Sequence, residues 1–523
     1  MICTEAEKRQ LGIDQILEAC VCRSPQGRAL KARREFFSAE KREDLREEFQ
    51  AITAIRDSLR ELASDWRQIE SILGRFRNIE GTVRGLEHGR QLDESELFEL
   101  KRCFSLLRQI NTAETALAAA GVKIEEQTAA ADLLNPPGSV SRGFHVYSAY
   151  SGELSAIRKQ KRRLETQILS AEGEDRQRLL SERSLLVTAE RQEEAKQIGR
   201  LVRELQTHVD PLRRNLAAVA RLDFRLAKAR LAENWAAPLP EISNAGEAAC
   251  IEGGWHPLLR SKLETKGVEF TRQSIHLEQG STVISGLNMG GKSVALQTFL
   301  LCLYLLQLGY CPPCEAISSP LYDFFIYMAE NPGNVSSGLS SFGMEAARLR
   351  EYFRLIDKGQ ALLVMDEPCR GTNPHEATAI VRAICQIYSD TDSTLLLASH
   401  YEIPPSRAVY HYQIRGMGAV TEKDAAQLKL NLDNIEASGS SAKEEKLPTA
   451  ACSYTKEDLE AVRRISQLMD YRLVKVEDEV IMPAGAIRIA ELMGVAEDAL
   501  DVMRREYSEL EGEEKQITNN EEN

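Results

Sequence analysis

The stretch STVISGLNMGGKS, residues 281–293, decides the fold. Thr282 to Ser285 read as a short apolar strand. The chain then turns through Gly286, four further residues and Gly291-Lys292-Ser293 before a long apolar helix begins. Glycines at 286, 290 and 291, with Asn288 and Met289 between them, let the backbone curl so that its N–H groups point inward at phosphate oxygens. The helix that follows adds the partial positive charge of its N-terminus. Lys292 is placed to reach the β- and γ-phosphates of ATP, and Ser293 to hold Mg2+. Short patterns of this kind also arise by chance. A strand before and a helix after separate a phosphate loop from coincidence.

Three later segments supply what such a loop needs. ALLVMDEP, residues 361–368, is a buried strand that delivers Asp366 to a metal shell and Glu367 to the attacking water. Alone, an apolar strand ending in two acids is just a strand end; behind a phosphate loop it is an arrangement for hydrolysis. TLLLASH, residues 394–400, is a further strand whose end presents His400 where α/β sheets place ligand contacts, as a sensor of the γ-phosphate. The glycine- and serine-rich segment 331–349 leads into a helix beginning near Ser340 or Ser341, whose hydroxyls suit either a helix cap or an anion.

Outward from these motifs, the expected order is helical and then α/β. Residues 1–128 repeat apolar positions at three- and four-residue steps and read as a helical core. Residues 129–152 change to NPPGSVSRG and FHVYSAY, a linker with a short strand pair. Residues 153–240 read as a charged antiparallel helix pair, turning near Gly173, and a return helix ended by Pro238 and Pro240. From 241 to 434, short apolar strands alternate with helices, the texture of an α/β domain with a mainly parallel sheet. Residues 435–455 are expected to be a flexible loop, 456–510 C-terminal helices, and 511–523 a disordered acidic tail.

Composition narrows the setting. In 523 residues, 43% are apolar and 28% charged, ordinary for a soluble protein of several domains. The net charge of -13 argues against a broad phosphate-gripping surface, although IRKQKRR at 157–163 offers a local basic stripe or, more blandly, a solvated helix face. Eleven scattered cysteines do not form a disulfide framework, and a reducing compartment fits them. The start, MICTEAEKRQ, lacks the features of a secretory signal, and the apolar run 294–310 is interrupted by Gln297 and Gln307. A cytoplasmic protein without a membrane span is expected. Cys311-Pro-Pro-Cys314 has redox or zinc spacing, but no second pair follows it, and structural cysteines are expected there.

Taken in order, NMGGKS, LSSFGME, MDEPCRGTNPHE and ASHY resemble the MutS family of mismatch-repair ATPases. Leu287 stands where that family usually has proline. The resemblance implies a phosphate-loop ATPase domain of the ABC/MutS type behind a helical core and lever. It further implies a homodimer or MutS-like heterodimer with composite sites, in which Ser340 and Ser341 act in trans on the partner's nucleotide. FTRQSIHL resembles the segment whose aromatic residue, here Phe270, stacks on adenine; Tyr471 falls near the same base or packs in the core. EGGWHPLL at 252–259, AIRIAELMGV at 486–495 and LDFRLAKARLAENWAAPLPEI extend the resemblance. SGELSAIRKQKRRLE is most like the second bacterial MutS paralogue. No stretch resembles the mismatch-reading, connector, DNA-clamp or nuclease parts of the family.

Two functions follow. One is a DNA-associated ATPase that closes on duplex or branched DNA. The other keeps the motor and remodels a partner enzyme; short MutS-like chains of this layout resemble the ATPase of reactivating factors for cobalamin-dependent lysine or ornithine aminomutases. A basic stripe along the lever would favour DNA, and an apolar or acidic lever tip a protein. A third reading, nucleotide storage without turnover, conflicts with an intact Lys292, Ser293, Asp366, Glu367 and His400.

Overall fold

A computed structural model describes residues 8–9, 11–136, 143–265, 269–286, 291–329, 341–356, 358–389, 391–401, 403, 409–417, 469–476, 487, 490–491 and 495–508. The expected loop at 435–455 and tail at 511–523 lie outside them. The chain divides into two compact units, one formed by 20–35 and 47–233, the other by 8–19, 36–46 and the described residues from 234 onward.

The first unit is helical. Some of its helices start on side-chain caps, at Ser24, Asp93 and Ser151. Asp93 accepts from Glu96 N while Glu96 reaches back to Asp93 N, a capping box that opens the helix Glu94–Asn111. Apolar residues at helical spacing, among them Trp66, Ile69, Leu100, Ile110, Leu212 and Leu222, fill its core. One buried ion cluster lies within it: the Glu48 carboxylate accepts from Lys228 Nζ at 3.0 Å and Arg225 Nε at 2.7 Å. Burial raises the Glu48 pKa, but the two cations outweigh it, and the carboxyl is held below its ordinary range.

Gly152–Ile168 and Gly173–Gln206 form the expected antiparallel pair, and Gly173 takes the left-handed φ of 59° that its turn requires. Salt bridges between the helices hold it: Arg158 binds Glu190 and Glu194, Lys161 binds Glu190, and Arg183 binds Glu165. The helix Val209–Trp235 follows. Among the described residues of 129–152 no strand pair is formed. Residues 148–150 make a 3-10 turn, with Phe144, Tyr147 and Tyr150 packed edge to face. The aromatic-rich composition that suggested strands here serves ring packing instead.

The second unit is α/β. Its strands are β1 (Glu241–Ile242), β2 (Ala249–Gly254), β3 (Gln273–Leu277), β4 (Gly280–Ser285), β5 (Ala316–Ser319), β6 (Phe324–Met328), β7 (Ala361–Asp366), β8 (Thr394–Ala398), β9 (Val409–Met417) and β10 (Met469–Val476). They make a four-stranded sheet in the order β1-β5-β2-β3 and a six-stranded sheet in the order β10-β9-β4-β8-β7-β6. In the larger sheet β4 runs parallel to β8 and β9, and β7 parallel to β6 and β8; β10 is antiparallel to β9. β4 and β8 are buried at every position, as strands covered on both faces must be. Val283, Leu363, Met365, Leu395 and Leu397 share one core with Val381, Ile384 and Tyr388 of the helix Pro374–Ser389. The helix Lys292–Gln307, buried along almost its whole length, packs on β2, β7 and β8.

Residues 469–476, within the stretch 456–510 for which two helices are expected, form a strand that falls largely between them. MDYRLVKV carries β-branched and aromatic residues in a near-alternating pattern and pairs with the edge of β9. Residues 497–508 are helical. Among the described residues no helix is long and apolar enough to cross a membrane.

Glu48→Ala strands Lys228 without its carboxylate. It is expected to cost about 3–5 kcal/mol. The double variant Glu48→Met/Lys228→Met is expected to lose much less, as read from urea midpoints of the helical signal.

Candidate nucleotide site

Strand register builds the site. Ile284 of β4 and Asp366 of β7 both lie opposite Ala398 of β8, so the carboxyl ends of three adjacent parallel strands finish level. Two backbone bonds lock this edge: Glu367 N donates to Ala398 O at 3.0 Å, and Ser399 N donates to Ile284 O at 3.1 Å. Gly286, Glu367 and His400 therefore leave the sheet at the same edge, where α/β sheets bind ligands. Gly286 and Gly291 have φ of 137° and 86°, a backbone that a side chain would strain.

Lys292 opens the helix Lys292–Gln307 and turns back over the loop, with its side chain buried. Its Nζ donates to Gly286 O at 2.7 Å and lies 3.3 Å from Glu367 Oε1. Arg370 Nε is 3.3 Å from the other Glu367 oxygen. Burial lowers the Lys292 pKa, and the Glu367 charge opposes the shift. The Asp366 carboxyl is pushed above its ordinary range by burial, against a hydrogen bond from the Ser293 hydroxyl. Burial shifts the His400 pKa down, Lys292 and Arg370 add to the shift and the Glu367 charge opposes it; its ring lies 4.2 Å from that of Tyr401.

The turn after β7 is strained. Glu367 and Cys369 adopt φ of 46° and 65°, left-handed values that cost a non-glycine residue about 1–3 kcal/mol where the surroundings enforce them. Such strain gathers at functional sites, and this turn carries Glu367.

Asp366 Oδ1 is buried with no hydrogen-bond partner among the described residues. A desolvated carboxylate oxygen beside a serine hydroxyl fits a hard divalent cation that takes its remaining ligands from phosphate and water. The described residues contain no group of three or more His, Cys, Asp or Glu side chains able to hold a metal by themselves.

Gly286, Lys292, Ser293, Asp366 and Glu367 are thus gathered in one place, with His400 beside them. Asn288, Met289, Gly290 and Ser340 lie outside the described residues. Ser341 begins the helix Ser341–Ile356, and its side chain is likewise outside them. Phe270 is buried ahead of β3. Tyr471 of β10 lies against Gly291: a Cβ there would come within 3.1 Å of its ring, and its carbonyl accepts from Gln273 Nε2 at 2.7 Å. Cys311 and Cys314 are buried and not disulfide-bonded, and burial pushes the Cys314 thiol up to about 12, the state of an inert cysteine. Two residues at the edge of the site were not singled out from sequence, Glu345 and Tyr401; each contacts the backbone of Cys369. No local pattern marks such contacts.

Residues 282–453 match the family model for MutS domain V. The chain carries a MutS domain V. Members of that family are ATPases, and the match, with the relatives that follow, supports a MutS-family protein. A DNA mismatch repair protein MutS of Solibacter usitatus is 26% identical over 328 residues, 58% of this chain and 37% of that protein. An endonuclease MutS2 of Geobacillus thermodenitrificans is 27% identical over 250 residues, 46% of this chain and 30% of the relative. For an endonuclease MutS2 of Enterococcus faecalis the figures are 31% over 229 residues, 43% and 28%. The matched stretch thus spans about a third of the length of these curated relatives.

Two variants test the site. Lys292→Ala is expected to weaken ATP binding at least about 100-fold, as loss of a buried charged partner of phosphate should. Asp366→Asn is expected to leave the melting temperature of the nucleotide-free protein unchanged or higher, because a costly buried charge is removed, while abolishing the rise that Mg2+ with ATP gives the wild type. Thermal melts with and without each ligand read both outcomes.

Proposed function

We propose that this chain is a Mg2+-dependent ATPase in which nucleotide binding and hydrolysis drive a conformational switch. The observation that carries the reading is the convergence of Lys292, Ser293, Asp366 and Glu367 at one sheet edge. Lys292 binds the β- and γ-phosphates, exchanging its contact with Gly286 O for phosphate oxygens. Ser293 and Asp366 would hold Mg2+, which when bound neutralises charge between the β- and γ-phosphates. Glu367 orients the attacking water and accepts its proton, and His400 senses the γ-phosphate. Phe270 stacks on the adenine. The working unit is a homodimer or a MutS-like heterodimer with composite sites, in which Ser340 and Ser341 reach the partner's nucleotide. The target in this reading is duplex or branched DNA, supported by relatives named for mismatch repair and as endonucleases.

The lever supports a second reading, ATP-driven remodelling of a partner enzyme such as a cobalamin-dependent aminomutase. Of the basic run 157–163, Arg158 and Lys161 are engaged in salt bridges within the hairpin. The tip exposes Leu169 at 89%, followed by exposed Glu172, Glu174 and Asp175. Arg176 and Arg178 are exposed directly after them, and an exposed leucine among charges of both signs suits a protein surface.

ATP turnover by the full chain, titrated with duplex and branched DNA at two salt concentrations, separates these readings. Stimulation that fades with salt supports the DNA target; turnover indifferent to every DNA form supports a protein target. In the same assay Glu367→Ala is expected to bind ATP within about threefold of wild type and to lose at least about 100-fold in kcat. Wild-type turnover by that variant would refute the role of Glu367.

A further inference from the structure

The turn that presents Glu367 is held from outside its own strand. Glu345, on the helix Ser341–Ile356, lies 24 residues before Cys369 in sequence, and its Oε2 accepts from Cys369 N at 2.8 Å. Tyr401, just after His400, donates its hydroxyl to Cys369 O at 3.4 Å. Cys369 is fully buried and left-handed, two residues beyond Glu367, which is left-handed too. Both backbone polar groups of Cys369 are thereby bonded to side chains. A charge-assisted bond to the amide is the stronger of the two.

We propose that Glu345 is a positioning residue for hydrolysis: its carboxylate fixes the Cys369 amide and so the left-handed turn that aims Glu367 at the nucleotide. The inference rests on the reading of Glu367 given above and extends it. Glu345 sits in the first turns of a helix beginning at Ser341, so a shift of that helix moves the clamp on the turn. Tyr401 ties the same turn to the His400 strand end, which joins three motifs through the backbone of one residue.

Full-length Glu345→Ala, Glu345→Gln, Tyr401→Phe, Glu367→Ala and Glu345→Ala/Glu367→Ala are to be compared by steady-state ATP turnover and by equilibrium binding of a fluorescent ATP analogue. Glu345→Ala is expected to lower kcat about 10-fold or more, the effect of one charge-assisted hydrogen bond, with KM and analogue binding within about twofold of wild type. Glu345→Gln keeps an acceptor oxygen and is expected to restore most of the rate. Tyr401→Phe is expected to give a smaller fall in kcat, and the double variant to be no slower than Glu367→Ala. If Glu345→Ala folds poorly, Glu345→Gln and Tyr401→Phe still report: a glutamine variant as slow as Glu367→Ala, or an unchanged kcat in Tyr401→Phe, overturns the proposal. So does a Glu345→Ala loss confined to KM, or wild-type turnover by Glu345→Ala while Glu367→Ala is inactive. Wild-type turnover by Glu367→Ala would instead defeat the reading of Glu367.

Discussion

A lysine and two carboxylates share one buried edge of a sheet, and the level finish of β4, β8 and β7 puts them there. Moving any of these strands by one residue would turn Asp366 away from the edge and carry Gly286 off the helix that follows. The charges cannot be buried singly. Lys292 is tolerated because Glu367 lies against it, and Arg370 balances the second oxygen of that carboxylate. Asp366 keeps one oxygen without a hydrogen-bond partner among the described residues.

The helical unit uses its charges differently. Glu48 lies between Lys228 and Arg225 deep in the bundle, while the lever hairpin is stitched by Arg158, Lys161 and Arg183 to Glu190, Glu194 and Glu165. A basic run in sequence is therefore not a basic surface in space, because part of its charge is spent within the hairpin. Lys159, Arg162 and Arg163 remain exposed on the same helix, whereas the tip mixes exposed acids and arginines near an exposed leucine.

The α/β half was legible where residue type is forced by geometry. Gly286 and Gly291 mark positive φ, and the apolar runs before Gly286, Asp366 and Ser399 mark strands buried on both faces. The lever helices were legible from their charge and length. Less legible were elements fixed by distant partners. β10 was hidden because an edge strand carries polar residues on its open side, and 144–150 suggested strands where aromatic rings pack around a 3-10 turn. The bonds of Glu345 and Tyr401 to Cys369 join residues 24 and 32 positions apart, so no local spacing could announce them.

Phosphate release from ATP by the purified full-length chain, measured with Mg2+ and again with excess EDTA, tests the central claim most directly. Saturable release that stops when the metal is removed is the predicted result. Absence of release together with absence of ATP binding in Mg2+ would contradict it, because the buried edge that joins Lys292, Asp366 and Glu367 would then serve structure alone.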